Sequence, residues 1–307
     1  HVSAAFGGDE CMSFSTDREN AESGNTGGVT VQRTIFAESK TGSIIGGRTR
    51  NLEGAGDVSV LKNLFYDISH RFPNLRGDGR YEVVNNVVHQ WSARLLRGND
   101  SFSLNHVNNY YFRGINHPTR PLSELLNKYE VRSGTPSIYT AGAIIPMDDY
   151  LLDPEADNRP LWADFNTGQI VDRPLSDASF VARPHPWLGQ PVRVLSAREA
   201  FDSVLADVGA NARLREDGSV ERGGDSLDAM YLENARGSVR GRFRPSSEYA
   251  VPAVDGGAPY ADSDRDGMPD VWEGRQGFDP ERDDSALDAD DDGYTNLEEF
   301  LNLVDAP

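Results

Sequence analysis

Three segments, "VSVLKNLFYDIS", "YEVVNNVVHQWS" and "FSLNHVNNYYFR", superimpose so that Asn63, Asn86 and Asn109 fall 23 residues apart in both steps. Each copy has a short β-favouring run with alternating apolar positions before the Asn and two apolar or aromatic residues after it. A unit that small cannot bury its apolar face alone, and an equal period is satisfied by stacking one unit on the next. An Asn at a bend bonds through its amide to the rungs above and below, which is a physical reason for it to recur. The chain therefore reads as all-β, a parallel β-helix. An antiparallel sandwich also repeats strands, but two equal steps are not its signature. "VTVQRTIFAES", residues 29–39, reads as the preceding rung, and "GSIIGGRTRNLEGAG", residues 42–56, as a loop bulging from it.

From 117 to 260 the repeat gives way to Pro-rich coil with islands of helix, read as a tail packed along the coil. The clearest island is "SAREAFDSVLADVGA". Ser196 and Glu199 stand at capping-box spacing, Phe201, Val204, Leu205 and Val208 share one face, and Gly209 supplies the stop. "VPAVDGGAPYA", residues 251–261, reads as a linker. The expected organisation is thus a β-helix with its tail over 1–250, the linker, and a small module over 262–307.

That module carries the most specific metal signal. "DSDRDGMPDVWE" sets Asp262, Asp264, Asp266, Asp270 and Glu273 at the side-chain positions of the twelve-residue calcium loop, with Gly267 at the sixth. "DADDDGYTNLEE" does the same with Asp288, Asp290, Asp292, Asn296 and Glu299 around Gly293. Hard carboxylate oxygens at this spacing select Ca2+, and a Glu at the twelfth position can bind it bidentately. Pro and Gly before Asp262 leave no entering helix, and Pro269 removes an N–H that paired EF-hands use between loops. The module resembles dockerin-like or thrombospondin type 3-like repeats, with a structural rather than a signalling ion.

Charge narrows the partners. With 49 acidic against 30 basic side chains and a formal net charge of −19, nucleic acid and anionic membranes are repelled. A polyanionic substrate needs a local basic patch. Of the 30 basic residues only Lys40, Lys62 and Lys128 are lysines, and "SHRFPNLRG" sets Arg71 and Arg76 around a proline. No run of 18 apolar residues offers a membrane span. The single cysteine, Cys11, excludes an intrachain disulfide and is expected to be a small buried apolar residue.

At these residues the sequence resembles the pectate lyases of polysaccharide lyase family 1. "HVSAAFGGDECMS" follows the family's D-H-C-S-x-S-W-x-x-D-E-x-x-S segment without a gap, Lys40 falls in the turn where the family has a lysine, and Arg71, Pro73 and Arg76 match its R-x-P-x-x-R segment. Asp225 and Asp228 sit where its tail has a D-x-x-D pair. The resemblance implies a right-handed parallel β-helix, secreted and monomeric, that cleaves polygalacturonate or pectin by calcium-dependent β-elimination. Arg71 takes the place of the proton-abstracting base, Lys40 and Arg76 those of the substrate-binding pair, and Asp9 that of a carboxylate ligand to a catalytic calcium. His70 is the conventional base beside Arg71, but backbone alternation is expected to point it elsewhere. The chain opens on His1 rather than Met, and the resemblance implies further rungs and ligands before it. The alternative is a non-catalytic carbohydrate-binding or cell-surface β-helix. A β-helix hydrolase is disfavoured, since Asp9 and Glu10 are adjacent and adjacent strand residues face opposite ways.

Overall fold

A computed structural model describes residues 1–14, 28–46, 57–112, 128–147, 150–152, 155–165, 173–189, 193–237 and 258–302. Contacts divide the chain into two units, one of Val2–Gly209 with Leu227–Phe243, the other of His1, Ala210–Ser226 and Arg244–Pro307.

In the first unit the chain winds through three sheets in turn. Strands β1 (Val2–Ala5) and β2 (Glu10–Phe14) are followed by three-strand rungs. These are β3 (Val29–Gln32), β4 (Thr34–Ala37) and β5 (Thr41–Gly46), then β6 (Asp57–Leu61), β7 (Leu64–Tyr66) and β8 (Asn74–Arg76). Next come β9 (Arg80–Val84), β10 (Val87–His89) and β11 (Arg97–Gly98), then β12 (Ser103–Val107), β13 (Tyr110–Phe112) and β14 (Tyr129–Val131). Strands β15 (Ser137–Ala141), β16 (Ile145–Met147), β17 (Tyr150–Leu152), β18 (Trp162–Asp164) and β19 (Arg173–Pro174) complete the series. The first sheet runs β15-β12-β9-β6-β3, the second β1-β4-β7-β10-β13, and the third β18-β14-β11-β8-β5-β2, all pairing parallel. Among the described residues of this unit, only β19 on β18 and the β16–β17 ribbon pair antiparallel. Three parallel sheets visited in rotation are consistent with a parallel β-helix.

The 23-residue period is the register of the first sheet: Val60 lies beside Val83, and Arg80 beside Ser103. The bend after it takes two residues. Arg33, Lys62, Asn85 and Asn108 hold φ of 51, 53, 57 and 51°, and the next residue turns its side chain inward. There Asn63 Nδ2 donates to Asn86 Oδ1 at 3.0 Å, and Asn86 Nδ2 to Asn109 Oδ1 at 3.0 Å. The ladder also covers backbone: Asn86 Oδ1 accepts the Asn63 N–H at 3.0 Å, and Asn63 Oδ1 that of Thr34 at 2.9 Å. The groups a bend would leave unpaired inside the coil are thereby satisfied.

Aromatic rings stack along the same axis. Phe36 lies over Phe65 with centroids 4.9 Å apart, and His89 is sandwiched between Tyr66 and Phe112 at 5.1 and 5.4 Å. Cys11 is half-buried rather than fully buried, its thiol directed at the Ala4 and Ala37 carbonyls.

The stretch 42–46, expected to begin a loop, is strand β5; residues 47–56 lie outside the described residues. Its glycines serve close approach between rungs. A Cβ on Gly42 would sit 2.3 Å from the Arg71 carbonyl oxygen, and one on Gly46, at φ 107°, 1.8 Å from that of Arg76. Helix α1 (Ala197–Ala206) has the capping box, with Ser196 and Glu199 bonded reciprocally. Its Val204 and Leu205, with Val208 beyond its end, join Tyr231 of α2 (Ser226–Arg236) in a cluster with Ile35, Leu64 and Val87 of the second sheet. Asp228, from the D-x-x-D pair, is buried and accepts the Ser3 hydroxyl of β1.

The second unit holds the hairpin β20 (Ala212–Leu214) and β21 (Val220–Arg222) and the helices α3 (Asp270–Gln276) and α4 (Asn296–Asn302). Met268 and Trp272 are its buried core, with Trp272 against Phe278 and Phe300. Of the expected linker, residues 251–257 lie outside the described residues. Among the described residues no helix is long and apolar enough to cross a membrane.

Candidate active site

The third sheet collects the residues singled out around the two arginines. Asp9 stands immediately before β2, Lys40 immediately before β5, and Arg71 three residues before β8, so three successive rungs each deliver one at the same edge. The edge is locked through backbone. Thr41 N–H donates to Asp9 O at 2.9 Å, Gly42 N–H to His70 O at 2.8 Å, and Ser43 N–H to Arg71 O at 3.0 Å. Arg71 has φ 73°, which turns its side chain out of the regular alternation.

Arg71 Nη1 makes a close ion pair with Glu10 and lies 4.0 Å from Asp9 Oδ1. Asp9 is exposed and accepts the Thr41 hydroxyl at 3.4 Å. Lys40 and Arg76 differ from it in kind. Their side chains find no hydrogen-bond or ion-pair partner among the described residues. Arg76 closes the far end of β8, where its carbonyl accepts the Tyr81 hydroxyl at 2.9 Å. His70 is half-buried with Nδ1 3.2 Å from the Ser69 hydroxyl. Burial first, and then the charges of Arg71 and Arg97, hold its imidazole down at about 4, so it is neutral at pH 7.

No family model matches the chain. It is similar to probable pectate lyase C of Aspergillus terreus, 26% identical over 314 residues, and to that of Aspergillus oryzae, 26% over 313. The same protein of Neosartorya fischeri is 25% identical over 311 residues. The similarity supports a pectate lyase-like family. Each match covers 99% of this chain, and the chain spans 64% of the length of these relatives.

The basic edge extends beyond the residues of the R-x-P-x-x-R segment. Glu130 of β14 is 1% exposed and is held by three arginines. Arg94 Nε lies 2.6 Å from Oε2, Arg97 Nε 3.0 Å from Oε2, and Arg132 Nη2 2.8 Å from Oε1. Three guanidinium groups on one carboxylate leave a net positive cluster on the rungs next to Arg71. The signal was the basic residue recurring at the third-sheet strands, but β11 has two residues and offers no motif.

A catalytic calcium at Asp9 needs further oxygen donors beside it. Glu10 is engaged by Arg71, and among the described residues no group of three His, Cys, Asp or Glu ligand atoms gathers there. Among the described residues Asp9 therefore offers one carboxylate, short of the roughly six to eight oxygens a calcium ion takes.

The second unit is different. Asp262, Asp264 and Asp266 gather their carboxylates within 4.8 Å, as do Asp288, Asp290 and Asp292. Both loops share one backbone course, with Gly267 at φ 96° donating to Asp262 Oδ2 at 3.2 Å and Gly293 at φ 99° donating to Asp288 Oδ2 at 2.9 Å. Glu273 and Glu299 are buried on the helices that follow. Burial, then Asp266 and its neighbouring acids, push Glu273 up to about 7. Burial likewise raises Glu299. Asp264 Oδ2, Asp266 Oδ2 and both Glu273 oxygens are buried without a hydrogen-bond partner, and Asn296 Oδ1 is too. These donors fit a hard cation such as calcium. Asp270 is brought elsewhere: its Oδ1 accepts the Ser263 N–H and its Oδ2 the Ser263 hydroxyl, both at 2.7 Å.

Proposed function

We propose that the protein is an extracellular, monomeric polyuronate lyase on a right-handed parallel β-helix. Its substrate is polygalacturonate, pectin or a related acidic polysaccharide, cleaved by β-elimination. Residues 262–307 form a structural calcium module. One observation carries the substrate class: in a chain with 49 acidic side chains, Lys40 and Arg76 have no carboxylate partner among the described residues. Cations left unneutralised on neighbouring rungs supply what a polyacid needs and what the net charge otherwise denies.

The chemistry follows from the uronate. Its C5 proton lies beside a carboxylate, so removing it adds negative charge to an anion. Lys40 and Arg76 stabilise that charge as it develops. Arg71, in its neutral guanidine form, takes the proton, the C5–H electron pair forms the C4=C5 bond, and the C4 glycosidic oxygen leaves with its bonding pair and is then protonated. Glu10 must release Arg71 for this, since a guanidinium paired with a carboxylate has no electron pair free for the proton. His70 is the second candidate base, favoured by its neutral imidazole at pH 7.

The test is ultraviolet absorbance of unsaturated uronides released from polygalacturonate, run with calcium and with chelator. Arg71→Ala is expected to lose at least about 100-fold in kcat, the usual weight of a general base. Lys40→Ala and Arg76→Ala each lose about 10-fold or more in kcat/KM, the worth of one charge-assisted contact. His70→Ala stays within about threefold, since a positioned base is worth far more than that. Loss on His70→Ala with Arg71→Ala active transfers the base to His70. No product from several uronans with the folded protein removes the lyase reading and leaves a carbohydrate-binding β-helix.

A further inference from the structure

The first calcium loop does not close on its own side chains. Its ninth residue, Asp270, has both oxygens taken by Ser263. At its twelfth, Glu273 is 0% exposed with neither oxygen hydrogen-bonded. A buried carboxylate without a partner is costly unless a cation answers it. Beside Glu273 stands a third acid that the twelve-residue pattern does not contain. Asp284, eleven residues further along the chain, is buried, and ligand oxygens of Asp266, Glu273 and Asp284 lie within 4.8 Å of one another.

Asp284 is held there by the second loop. Asn296 Nδ2 donates to the Asp284 carbonyl at 3.0 Å and to its Oδ1 at 3.2 Å, while the Asn296 N–H bonds the Leu287 carbonyl at 2.7 Å. Asn296 is the ninth residue of that loop and opens α4.

We infer that Asp284 is a ligand of the cation in the first loop, joining Asp262, Asp264, Asp266 and Glu273, while Asp270 braces the loop through Ser263. The ion at the first site is then held partly from the segment entering the second, and Asn296 couples the two. The inference rests on the calcium reading of the module.

The test is calcium titration of the full chain by calorimetry, beside terbium luminescence lifetimes in H2O and D2O to count water on the bound ion. Asp284→Asn is nearly isosteric and keeps an acceptor for Asn296. It is expected to weaken one of two sites about 10-fold or more and to admit about one further water there, since a carboxylate ligand is lost from a hard-cation shell. Asp270→Asn is expected to change affinity less than about threefold, because that carboxylate is not in the shell. The reverse ranking overturns the inference. In the unaltered protein, the Asp284 side-chain carboxylate 13C resonance moves further on calcium addition than the Asp270 resonance, a comparison free of any variant's folding defect. A still Asp284 resonance beside a bound ion also overturns it. If the unaltered chain binds neither calcium nor terbium, the module reading itself fails, a distinct result.

Discussion

The coil and the calcium-loop module order short segments in opposite ways. At the coil's bend the polar groups are paired within the chain. Asn86 Oδ1 accepts from Asn63 N–H and Nδ2, and its Nδ2 donates to Val60 O and to Asn109 Oδ1. In the module, carboxylate oxygens of Asp264, Asp266 and Glu273 are buried with no hydrogen bond. The coil's order lies in bonds the chain makes to itself. The module's order awaits a bond the chain cannot make alone, and its stability is therefore a matter of ion concentration.

The largest break between the two is metal removal. With chelator, backbone amides of Trp272 and Phe300 are expected to lose at least about 100-fold of their hydrogen-exchange protection, equivalent to the roughly 2.7 kcal/mol a ligand gives at 100 times its Kd. Amides of Val83 and Leu104 in the coil should move less than about twofold, since no ion enters their hydrogen bonds. Equal loss in both regions would erase the contrast.

The converse experiment attacks the coil. Asn86→Ala strands the Asn63 N–H, one of its two amide hydrogens and the Val60 carbonyl, all buried, each costing about 1–3 kcal/mol. A destabilisation of about 3–5 kcal/mol is expected from these sites, read as a lower denaturant midpoint at unchanged slope and unaltered by chelator.

The ladder was legible because three identical side chains at one bend set the period and bond directly to one another. Strand β5 was not. Gly42 and Gly46 look like loop residues, yet they admit the Arg71 and Arg76 carbonyls at distances no Cβ tolerates. Lys40, Arg71 and Arg76 were found through a local motif, and the structure carries the three on the neighbouring strands β5 and β8 and their approaches. The arginines around Glu130 meet it from positions 94, 97 and 132, a contact made by strand register alone. Asp284 escaped for a related reason: the twelve-residue pattern describes one loop, and this acid reaches the first from the approach to the second.

The smallest effect lies in the coil's interior and concerns protons rather than metals. His89 is fully buried between Tyr66 and Phe112, and neither ring nitrogen has a hydrogen-bond partner. Burial lowers its imidazole from 6.5 to about 4. Between those values the unfolded chain binds a proton the folded one refuses, so stability falls as pH drops from 6.5 towards 4 and is complete above 6.5. The span is worth at most about 3.5 kcal/mol, at roughly 1.4 kcal/mol per pH unit. His89→Phe keeps the stack and removes the proton site. It is expected to change stability at pH 7 by less than about 1.5 kcal/mol, as apolar exchanges of similar shape do, and to flatten the acid limb measured by denaturant midpoints at successive pH. An acid limb of unchanged slope in that variant would assign the loss to other groups, among them the buried His106 and half-buried His70, whose imidazoles burial also lowers, and the carboxylates.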